Sequence, residues 1–253
     1  MIKEEILDRC LIVSFSQGER TEQLNDLCFK KLGFKNRLTL SGEGGFDDKF
    51  LEFAKIATES NYEFFIRNDA DRLVFNGILD LLKLMIDDPT ISWSTGVFYD
   101  YLMDKKRGGT PSIHRIDNLD FLVKNSKYMK NVQKPESNFA RAIKDKFNLK
   151  DVNILTNLHD YEQYPSKVCN TLINRYYRND WGRLYNIRKL RSNKIYGDAV
   201  CHAEEYVKVS PPKKSMDYVD FSHLDEGMAA IEDNDLELKY NHYKDLYESL
   251  NKK

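Results

Sequence analysis

The first hundred residues alternate short apolar segments with amphipathic ones, and this alternation constrains the fold more than any other feature. The apolar segments have the length of buried strands, and the segments between them carry apolar residues at helical spacing. The predicted strands are 10–15, 37–42, 62–69 and 91–102, and the predicted helices are 21–33, 49–60 and 75–88. Because strands that alternate with helices over short links form a helix-covered parallel sheet, we predict an α/β fold with a mostly parallel sheet.

The second half of the chain is less regular. It contains a basic, glycine-bearing loop at 104–112, a helix at 136–147, a strand at 152–160, a helical stretch at 165–196 and a last helix at 236–250. We expect an α/β domain over 1–164, a basic, aromatic-rich helical segment over 165–206, and a polar linker with a C-terminal helix over 207–253.

Composition excludes several classes of protein. The 253 residues are 41% hydrophobic with a formal net charge of -1, which predicts a folded core and points to no partner by charge alone. No apolar run is long enough to span a membrane, and the charged N-terminus does not resemble a signal peptide. The four cysteines form no close pair, so we expect free thiols in the cytoplasm.

The stretch EFFIRNDADRLVF, residues 63–75, places two carboxylates directly after a predicted buried strand. Ligands gather at the carboxyl ends of strands in such sheets. If the extended conformation continues, Asp69 and Asp71 share a face and form an oxygen site suited to Mg²⁺ or Mn²⁺. The alternative is that Asp71 caps the following helix while Asp69 pairs with Arg67 or Arg72.

The order of these segments resembles the GT-A glycosyltransferases, especially the family-2-like enzymes. The resemblance is carried by CLIVSFSQGERTEQL (10–24) and by GEGGFDDKFLEFAKIATESNYEFFIRNDAD (42–71), which ends in Asp-x-Asp, and it covers roughly residues 9–165. It implies a Rossmann-like GT-A domain that transfers a sugar from a nucleotide sugar, most simply a UDP-sugar, to a hydroxyl acceptor with Mn²⁺ or Mg²⁺.

The resemblance also implies roles for particular residues. The metal ligands would be Asp69, Asp71 and His159, and the metal would neutralise the leaving nucleoside diphosphate. The nucleotide would lie against Ser14, Ser16, Gln17, Arg20, Ser41, Arg67, Asn68 and Asp69. Family members often carry an acidic residue after the second strand. This chain offers Ser41 or Glu43 there, so the nucleotide is not fixed by the pattern.

An inverting transfer needs a base that deprotonates the acceptor hydroxyl. The family places an acid at the start of a helix after the fourth strand, and KPESNFARAIKDKF offers Glu136 there. The alternative role of Glu136 is to complement the helix dipole. Asp117 is the reserve candidate for the base. His114 is a candidate for the acceptor pocket, although a structural role is favoured for it.

The stretch 165–196 holds eight cations against one acid, a net charge of +7, with interleaved aromatic residues. Such a surface fits a polyanionic acceptor, namely an anionic glycan, a nucleic acid or a membrane surface. The alternative is that these cations pair with the acidic residues of 198–253.

Three other functions compete with glycosyl transfer to a glycan. A nucleotidyltransferase on a related fold would want a glycine-rich phosphate loop after the first strand, where SFSQGER has only Gly18. A glycosyltransferase that modifies DNA or RNA bases, as some phages encode, would differ only in its acceptor. A non-catalytic binding domain is the third alternative.

Overall fold

The computed structural model describes residues 4–42, 45–128, 135–177, 187–210, 219–228, 231 and 233–252. The strands are β1 (Cys10–Phe15), β2 (Arg37–Leu40), β3 (Phe64–Asp69), β4 (Arg72–Val74), β5 (Ile91–Asp100), β6 (Lys105–His114) and β7 (Asn148–His159). The helices are α1 (Glu4–Leu7), α2 (Glu22–Lys31), α3 (Phe46–Thr58), α4 (Gly77–Asp87), α5 (Ile116–Lys124), α6 (Pro135–Ile143), α7 (Pro165–Tyr177), α8 (Ile187–Arg191), α9 (Gly197–Val209) and α10 (Asp233–Asn251).

Within the described residues these strands form one seven-stranded sheet in the order β2-β1-β3-β6-β5-β7-β4. Strands β1, β2, β3, β5 and β7 run in one direction, whereas β6 and β4 run in the other. The prediction of an α/β fold with a mostly parallel sheet is therefore confirmed. The carboxyl ends of β1, β3, β5 and β7 lie at one edge of this sheet, which is where a ligand site is expected.

The predicted basic loop at 104–112 is wrong, because this stretch lies in strand β6 between β3 and β5. The first half of β6 alternates between partly buried and exposed residues, and only its second half is continuously buried. Charged and glycine residues on the partly exposed half hid the strand pattern. Strand β6 matters for the site because its Thr110 lies between the arginine side chains described below.

The two faces of the sheet carry separate hydrophobic cores, and β1 divides its residues between them by strand alternation. Leu11, Val13 and Phe15 pack with α3, α5 and α6, whereas Cys10 and Ile12 pack with α2 and α4. The complete burial of β1 fits a central strand covered on both sides. This packing fixes the carboxyl end of β1, where Phe15 leads into the loop of the candidate site.

The C-terminal third packs on the sheet domain. Helices α7, α8 and α9 share a core with Leu102 and Met103, which follow β5. Helix α9 continues to Val209, past the predicted boundary at 206. Helix α10 packs through Tyr243, Tyr247 and Leu250 against α2, β4 and β7. The predicted last helix thus exists and is longer than expected, while residues 211–218 of the predicted linker lie outside the described residues.

No helix in the described part of the chain combines the length and the apolar character that crossing a membrane requires.

Candidate functional site

The Asp-Ala-Asp stretch does not stay extended. Strand β3 ends at Asp69, a turn takes Ala70 and Asp71, and β4 begins at Arg72. The Ala70 amide donates a hydrogen bond of 2.9 Å to the carbonyl of Phe15, which ties this turn to the end of β1. The expectation that both carboxylates share one strand face is therefore wrong, and the two side chains enter different environments. Since β4 separates Asp71 from α4, Asp71 does not cap that helix either.

The Asp69 carboxylate lies between two guanidinium groups. One oxygen accepts from Arg67, and the other accepts from Arg72 Nε at 3.0 Å. Arg67 is 1% exposed, and its Nη1 also donates to Glu136 at 3.0 Å. We call Arg67, Asp69, Arg72 and Glu136 the arginine network. Its two cations balance its two anions, as the alternative of an Asp69–arginine pair anticipated.

Aromatic rings hold the cations of this network in place. The Arg67 guanidinium lies 4.9 Å from the ring centre of Phe15 and 4.7 Å from that of Phe46. The Arg72 guanidinium lies 4.3 Å from the ring centre of Phe98. Cations over aromatic faces are stabilised by the ring quadrupole, and more so when water is excluded. Arg67 therefore serves as a buried bridge between two carboxylates, and the nucleotide contact predicted for it would need this bridge to open.

The structure brings Glu136 to the Asp69 side of the molecule. It lies in the first turn of α6, and Arg67 links it to the end of β3. Burial raises the pKa of Glu136 above its ordinary value; Arg67 opposes this shift and Asp69 adds to it. A carboxyl group with a raised pKa is a better proton acceptor than an ordinary carboxylate.

The two reserve residues lie elsewhere. Asp117 accepts a hydrogen bond of 2.5 Å from Ser92 Oγ near the start of β5, at the opposite edge of the sheet from Asp69. His114 is buried, bonded to Ser112 and Asn118, and stacked on Trp93. Burial lowers its pKa to about 3, so it stays neutral. Neither residue is at the candidate site.

The Asp71 carboxylate meets His159 and Asp160 at the end of β7. Strand pairing explains this meeting, because His159 pairs with both Arg72 of β4 and Asp100 of β5. Asp71 Oδ2 lies 3.4 Å from His159 Nε2, and Asp160 Oδ2 lies 3.1 Å from His159 Nδ1. We call these three residues the Asp-His-Asp group. One possible ligand atom from each lies within 4.8 Å of the others.

Each member of this group keeps a buried polar atom without a hydrogen-bond partner in the described part of the protein. These atoms are Asp71 Oδ1, His159 Nδ1 and Asp160 Oδ2; the last two form a close ion pair but lack the geometry of a hydrogen bond. Unpaired buried polar atoms are uncommon in folded proteins because each one loses its hydration. Two carboxylates and an imidazole fit a divalent cation, which would supply the missing partner once it has displaced the imidazole proton.

The electrostatics of the group favour a positive charge among its carboxylates. Burial lowers the pKa of His159, but the carboxylates of Asp160 and Asp71 outweigh it and raise the pKa to about 10. Burial raises the pKa of Asp160 to about 6. Asp71, held by His159 and the nearby arginines against the cost of burial, has its pKa lowered to about 2. A histidine that keeps its proton this strongly reports a negative field at its ring.

Asp69 lies outside the Asp-His-Asp group because arginines occupy both of its oxygens. The third candidate ligand beside Asp71 and His159 is therefore Asp160, and the prediction of Asp69 as a ligand is wrong. The sequence carried a signal for Asp160, since NILTNLHD puts His and Asp together at the end of an apolar strand. Asp100 also lies nearby, with Oδ2 at 3.7 Å from His159 Nδ1, but Arg107 at 2.7 Å and Arg175 at 3.5 Å neutralise it.

A pocket of about 240 Å³ opens beside Asp69 and Asp71 at the carboxyl ends of β1 and β3. Its lining residues are Phe15, Gln17, Glu19, Phe46, Lys49, Asp69 and Asp71. The two aromatic rings give it apolar walls, whereas the carboxylates and Lys49 give it charge. Of the residues predicted to contact the nucleotide, Gln17 and Asp69 line this pocket.

The other predicted nucleotide residues are placed less directly. Ser14 is buried and bonds Asn25 at 3.3 Å. Asn68 is buried and donates to the Asp69 carbonyl at 2.8 Å. Arg20 is paired with Glu162. Ser41 is exposed just after β2, and Glu43 lies outside the described residues.

The loop after β1 folds around its own acid. Glu19 accepts from Ser16 Oγ at 3.0 Å and from the Gln17 amide at 2.6 Å. Two lysines reach the same loop from outside, since Lys49 Nζ donates to the Ser16 carbonyl and Lys167 Nζ to the Gln17 carbonyl at 3.1 Å. A carboxylate of the loop thus occupies the backbone amide of Gln17.

The cations of the basic stretch 165–196 differ in their contacts: some pair with acidic residues, and one lies over an aromatic ring. Arg175 pairs with Asp100, and Arg191 pairs with Glu204 of the acidic C-terminal region. Lys189 Nζ lies 5.7 Å from the ring centre of Tyr101, close to the candidate site. Arg178 and Arg183 lie outside the described residues.

No protein-family model matches this chain, and no curated protein matches it. Solved structures with some likeness to it include A197 from STIV, with 12% identity, a TM-score of 0.36 and coverage of 44% of this chain and 67% of that one. The cytidylyltransferase IspD of Francisella tularensis has 12% identity and a TM-score of 0.41, with coverage of 57% and 90%. A CMP:2-keto-3-deoxy-manno-octonic acid synthetase has 9% identity and a TM-score of 0.40, with coverage of 58% and 90%. Likeness at this level assigns neither a family nor a reaction to this chain.

Proposed function

We propose that this protein is a metal-dependent transferase that acts on a nucleotide-activated substrate. The observation that carries this proposal is the Asp-His-Asp group. Its three buried atoms lack hydrogen-bond partners in the described part of the protein, and its Asp71 lines an aromatic-walled, charged pocket. The pocket lies at the carboxyl ends of β1 and β3, the common place for ligands in α/β sheets.

Asp71, His159 and Asp160 would hold the cation, for which we propose Mn²⁺ or Mg²⁺. Carboxylate oxygens suit both ions, and the imidazole favours Mn²⁺ of the two. When bound, such a cation supplies Lewis-acid stabilisation of phosphate oxygens on the leaving group. Phe15 and Phe46 would line the nucleotide, and Lys49 would face its phosphates. Asp69 would not bind the metal; it would keep Arg67 and Arg72 in position beside the metal site.

Within this class we propose glycosyl transfer from a nucleotide sugar, with a UDP-sugar as the first donor to test. Glu136 supports this choice because it joins the site through Arg67 and because its pKa is raised. The oxygen of Glu136 would accept the proton from an acceptor hydroxyl. Such a base contributes about 10²–10⁴-fold to a rate.

The acceptor that we propose is an anionic glycan or another polyanion. Helix α8 carries the exposed side chains of Arg188 and Lys189, and Lys189 lies against Tyr101. Tyr101 lies 4.8 Å from the ring of Tyr161, which directly follows Asp160. This chain of contacts leads from the Lys189 ammonium group toward the Asp-His-Asp group. A nucleic-acid acceptor has the same charge and is distinguished by direct binding tests.

Nucleotidyl transfer is the second candidate. Lys49 and Lys167 both reach the loop after β1, where a triphosphate would need cations. The loop itself counts against it, since Gly18 is the only glycine of SFSQGER and such an enzyme would want a glycine-rich phosphate loop there. Cytidylyltransferases occur among the solved structures above, but likeness of that degree has no weight in this choice.

A product assay separates the two reactions. Nucleotide sugars and nucleoside triphosphates would first be screened with and without Mn²⁺ for a shift in melting temperature. We expect a UDP-sugar to stabilise the protein only with Mn²⁺, and turnover to release UDP. Release of pyrophosphate from a triphosphate and a sugar phosphate would establish nucleotidyl transfer instead. If no nucleotide stabilises the protein in a metal-dependent way, both proposals fail.

A further inference from the structure

The turn that carries Asp160 has an unusual backbone. Asp160 has φ 63° and Glu162 has φ 56°, so two residues of one short turn lie in the left-handed region without being glycine. L-residues other than asparagine and aspartate seldom adopt this conformation, and it persists only where surrounding contacts determine it. The direction of the Asp160 carboxylate therefore depends on whatever holds this turn.

Glu162 is the anchor of the turn. Its side chain accepts from Arg20, from Lys239 Nζ at 2.6 Å and from Tyr243 Oη at 2.8 Å. Lys239 and Tyr243 are four residues apart on α10, so they project from the same face of that helix. Three donors, two of them cationic, thus converge on one partly buried carboxylate.

Neighbouring side chains hold the same turn from both sides. The ring of Tyr161 lies 4.8 Å from that of Tyr101 and 5.4 Å from that of Tyr243. Gln163 donates to Thr21 Oγ1 at 3.1 Å, and its carbonyl accepts from Tyr196 Oη at 3.0 Å. Thus Tyr243 contacts two consecutive residues of the turn, one through its ring and one through its hydroxyl.

We infer that Lys239 and Tyr243 of the C-terminal helix are positioning residues for the metal site. They hold Glu162, and Glu162 fixes the left-handed turn that directs Asp160 toward His159 and Asp71. They act through Glu162 and are separate from the Asp-His-Asp group itself. The inference rests on the proposed metal-dependent function, and it gives the C-terminal helix a role in that function.

Helix α10 has other attachments, so its positioning role can be tested apart from its docking. Tyr247 Oη donates to the Leu155 carbonyl at 2.6 Å and accepts from the Gly77 amide at 3.0 Å. Its ring also stacks on Phe75 at 4.8 Å. These contacts stay when Lys239 or Tyr243 is altered.

The test measures the affinity of the full chain for Mn²⁺ alone, from the electron paramagnetic resonance signal of the free ion. The variants are Lys239→Met, Tyr243→Phe and the double variant. We expect each single variant to bind Mn²⁺ about tenfold more weakly, as for other residues that orient metal ligands. Lys239→Arg keeps a donor and should bind nearly as the wild type does.

Matched controls lie on the same helix. Lys244→Met removes a half-buried lysine that pairs with Glu248, and Tyr240→Phe alters a tyrosine that lies against Phe75. Both should keep wild-type affinity for Mn²⁺. An equal loss in the controls would reduce the effect to helix docking and overturn the inference.

The outcomes separate the inference from the proposed function. If the wild type binds Mn²⁺ and Asp71→Asn does not, but Lys239→Met and Tyr243→Phe bind like the wild type, the inference alone is overturned. If the wild type binds no Mn²⁺, both fall. Should the double variant fail to fold, the single variants and Lys239→Arg decide.

Discussion

The arginine network and the Asp-His-Asp group begin two residues apart, at Asp69 and Asp71, yet they are built on opposite principles. In the network each carboxylate meets a guanidinium, and both oxygens of Asp69 have partners. In the group, two carboxylates surround one imidazole, and three buried atoms lack a hydrogen-bond partner among the residues that the structure describes. The comparison teaches that the two carboxylates of the Asp-Ala-Asp triplet have different surroundings: Asp69 belongs to a closed, charge-balanced support, and Asp71 belongs to an open group for which we propose a cation.

The turn at Ala70 causes this division. A continued strand would place both carboxylates on one face, where they would repel each other. The turn instead sends Asp69 toward Arg67 and Asp71 toward β7. The buried support can then hold the open site rigidly, because Arg72 pairs with Asp69 while its backbone pairs with His159.

The largest expected effect comes from neutralising one carboxylate of the Asp-Ala-Asp triplet. Asp71→Asn should abolish Mn²⁺ binding and reduce transfer by about 10³-fold or more, because the cation's stabilisation of the leaving group is lost. Asp69→Asn is the matched control and should keep Mn²⁺ binding. Calorimetric titration with Mn²⁺ checks both. Loss of binding in Asp69→Asn alone would reverse the roles given to the two carboxylates.

Removing the buried cation Arg67 from the arginine network should lower the stability of the protein. Arg67→Met leaves Asp69 and Glu136 without their shared buried partner, and we expect a loss of about 3 kcal/mol or more in the free energy of unfolding. Chemical denaturation measures it. Arg141→Met removes an exposed arginine of α6 and should change stability little. A stable Arg67→Met protein would mean that the network is not the support we describe.

Glu136→Gln tests whether the arginine network also contributes a base to the reaction. The amide keeps the shape of the side chain but cannot take the acceptor proton. Transfer should fall by about 10²-fold while the affinity for the nucleotide sugar stays unchanged. Glu52→Gln, an exposed change on α3, serves as the control. If donor affinity and transfer fell together, Glu136 would be only a partner of Arg67.

The last effect is absent at neutral pH and concerns a residue that belongs to neither region. His114 has a pKa near 3 in the folded protein, against about 6.5 when unfolded. Protonation of His114 therefore favours unfolding. The contribution of the neutral imidazole to the free energy of unfolding is lost as the pH falls below about 6.5, by about 1.4 kcal/mol per pH unit. His114→Asn should flatten the pH dependence of stability between pH 6 and 4 relative to the wild type. His242→Asn, an exposed change, should not.

Much of the fold was predictable because apolar periodicity reports burial directly. Strands β1 and β3 and helices α3 and α4 follow their patterns closely. Strand β6 was missed because its first half lies partly exposed and carries lysine, arginine and glycine. Its burial depends on β3 and β5 on either side, and a local pattern does not contain that information.

The site was predictable only in part for the same reason. Asp71 and His159 stand at the ends of recognisable strands, so their types and positions point to a metal. Whether Asp69 or Asp160 joins them depends on the turn at Ala70 and on arginine pairing across the sheet. That turn leaves no mark in the alternation of apolar residues, and the Arg67–Glu136 pair joins residues far apart in the chain.

The central claim is that the cation binds at the Asp-His-Asp group, and electron spin-echo envelope modulation of bound Mn²⁺ tests it most directly. We predict nitrogen modulation from a coordinated imidazole in the wild type and in Asp69→Asn. We predict its disappearance in His159→Gln, whether or not weak Mn²⁺ binding remains. Tightly bound Mn²⁺ without nitrogen modulation, or modulation that survives His159→Gln, would contradict the account.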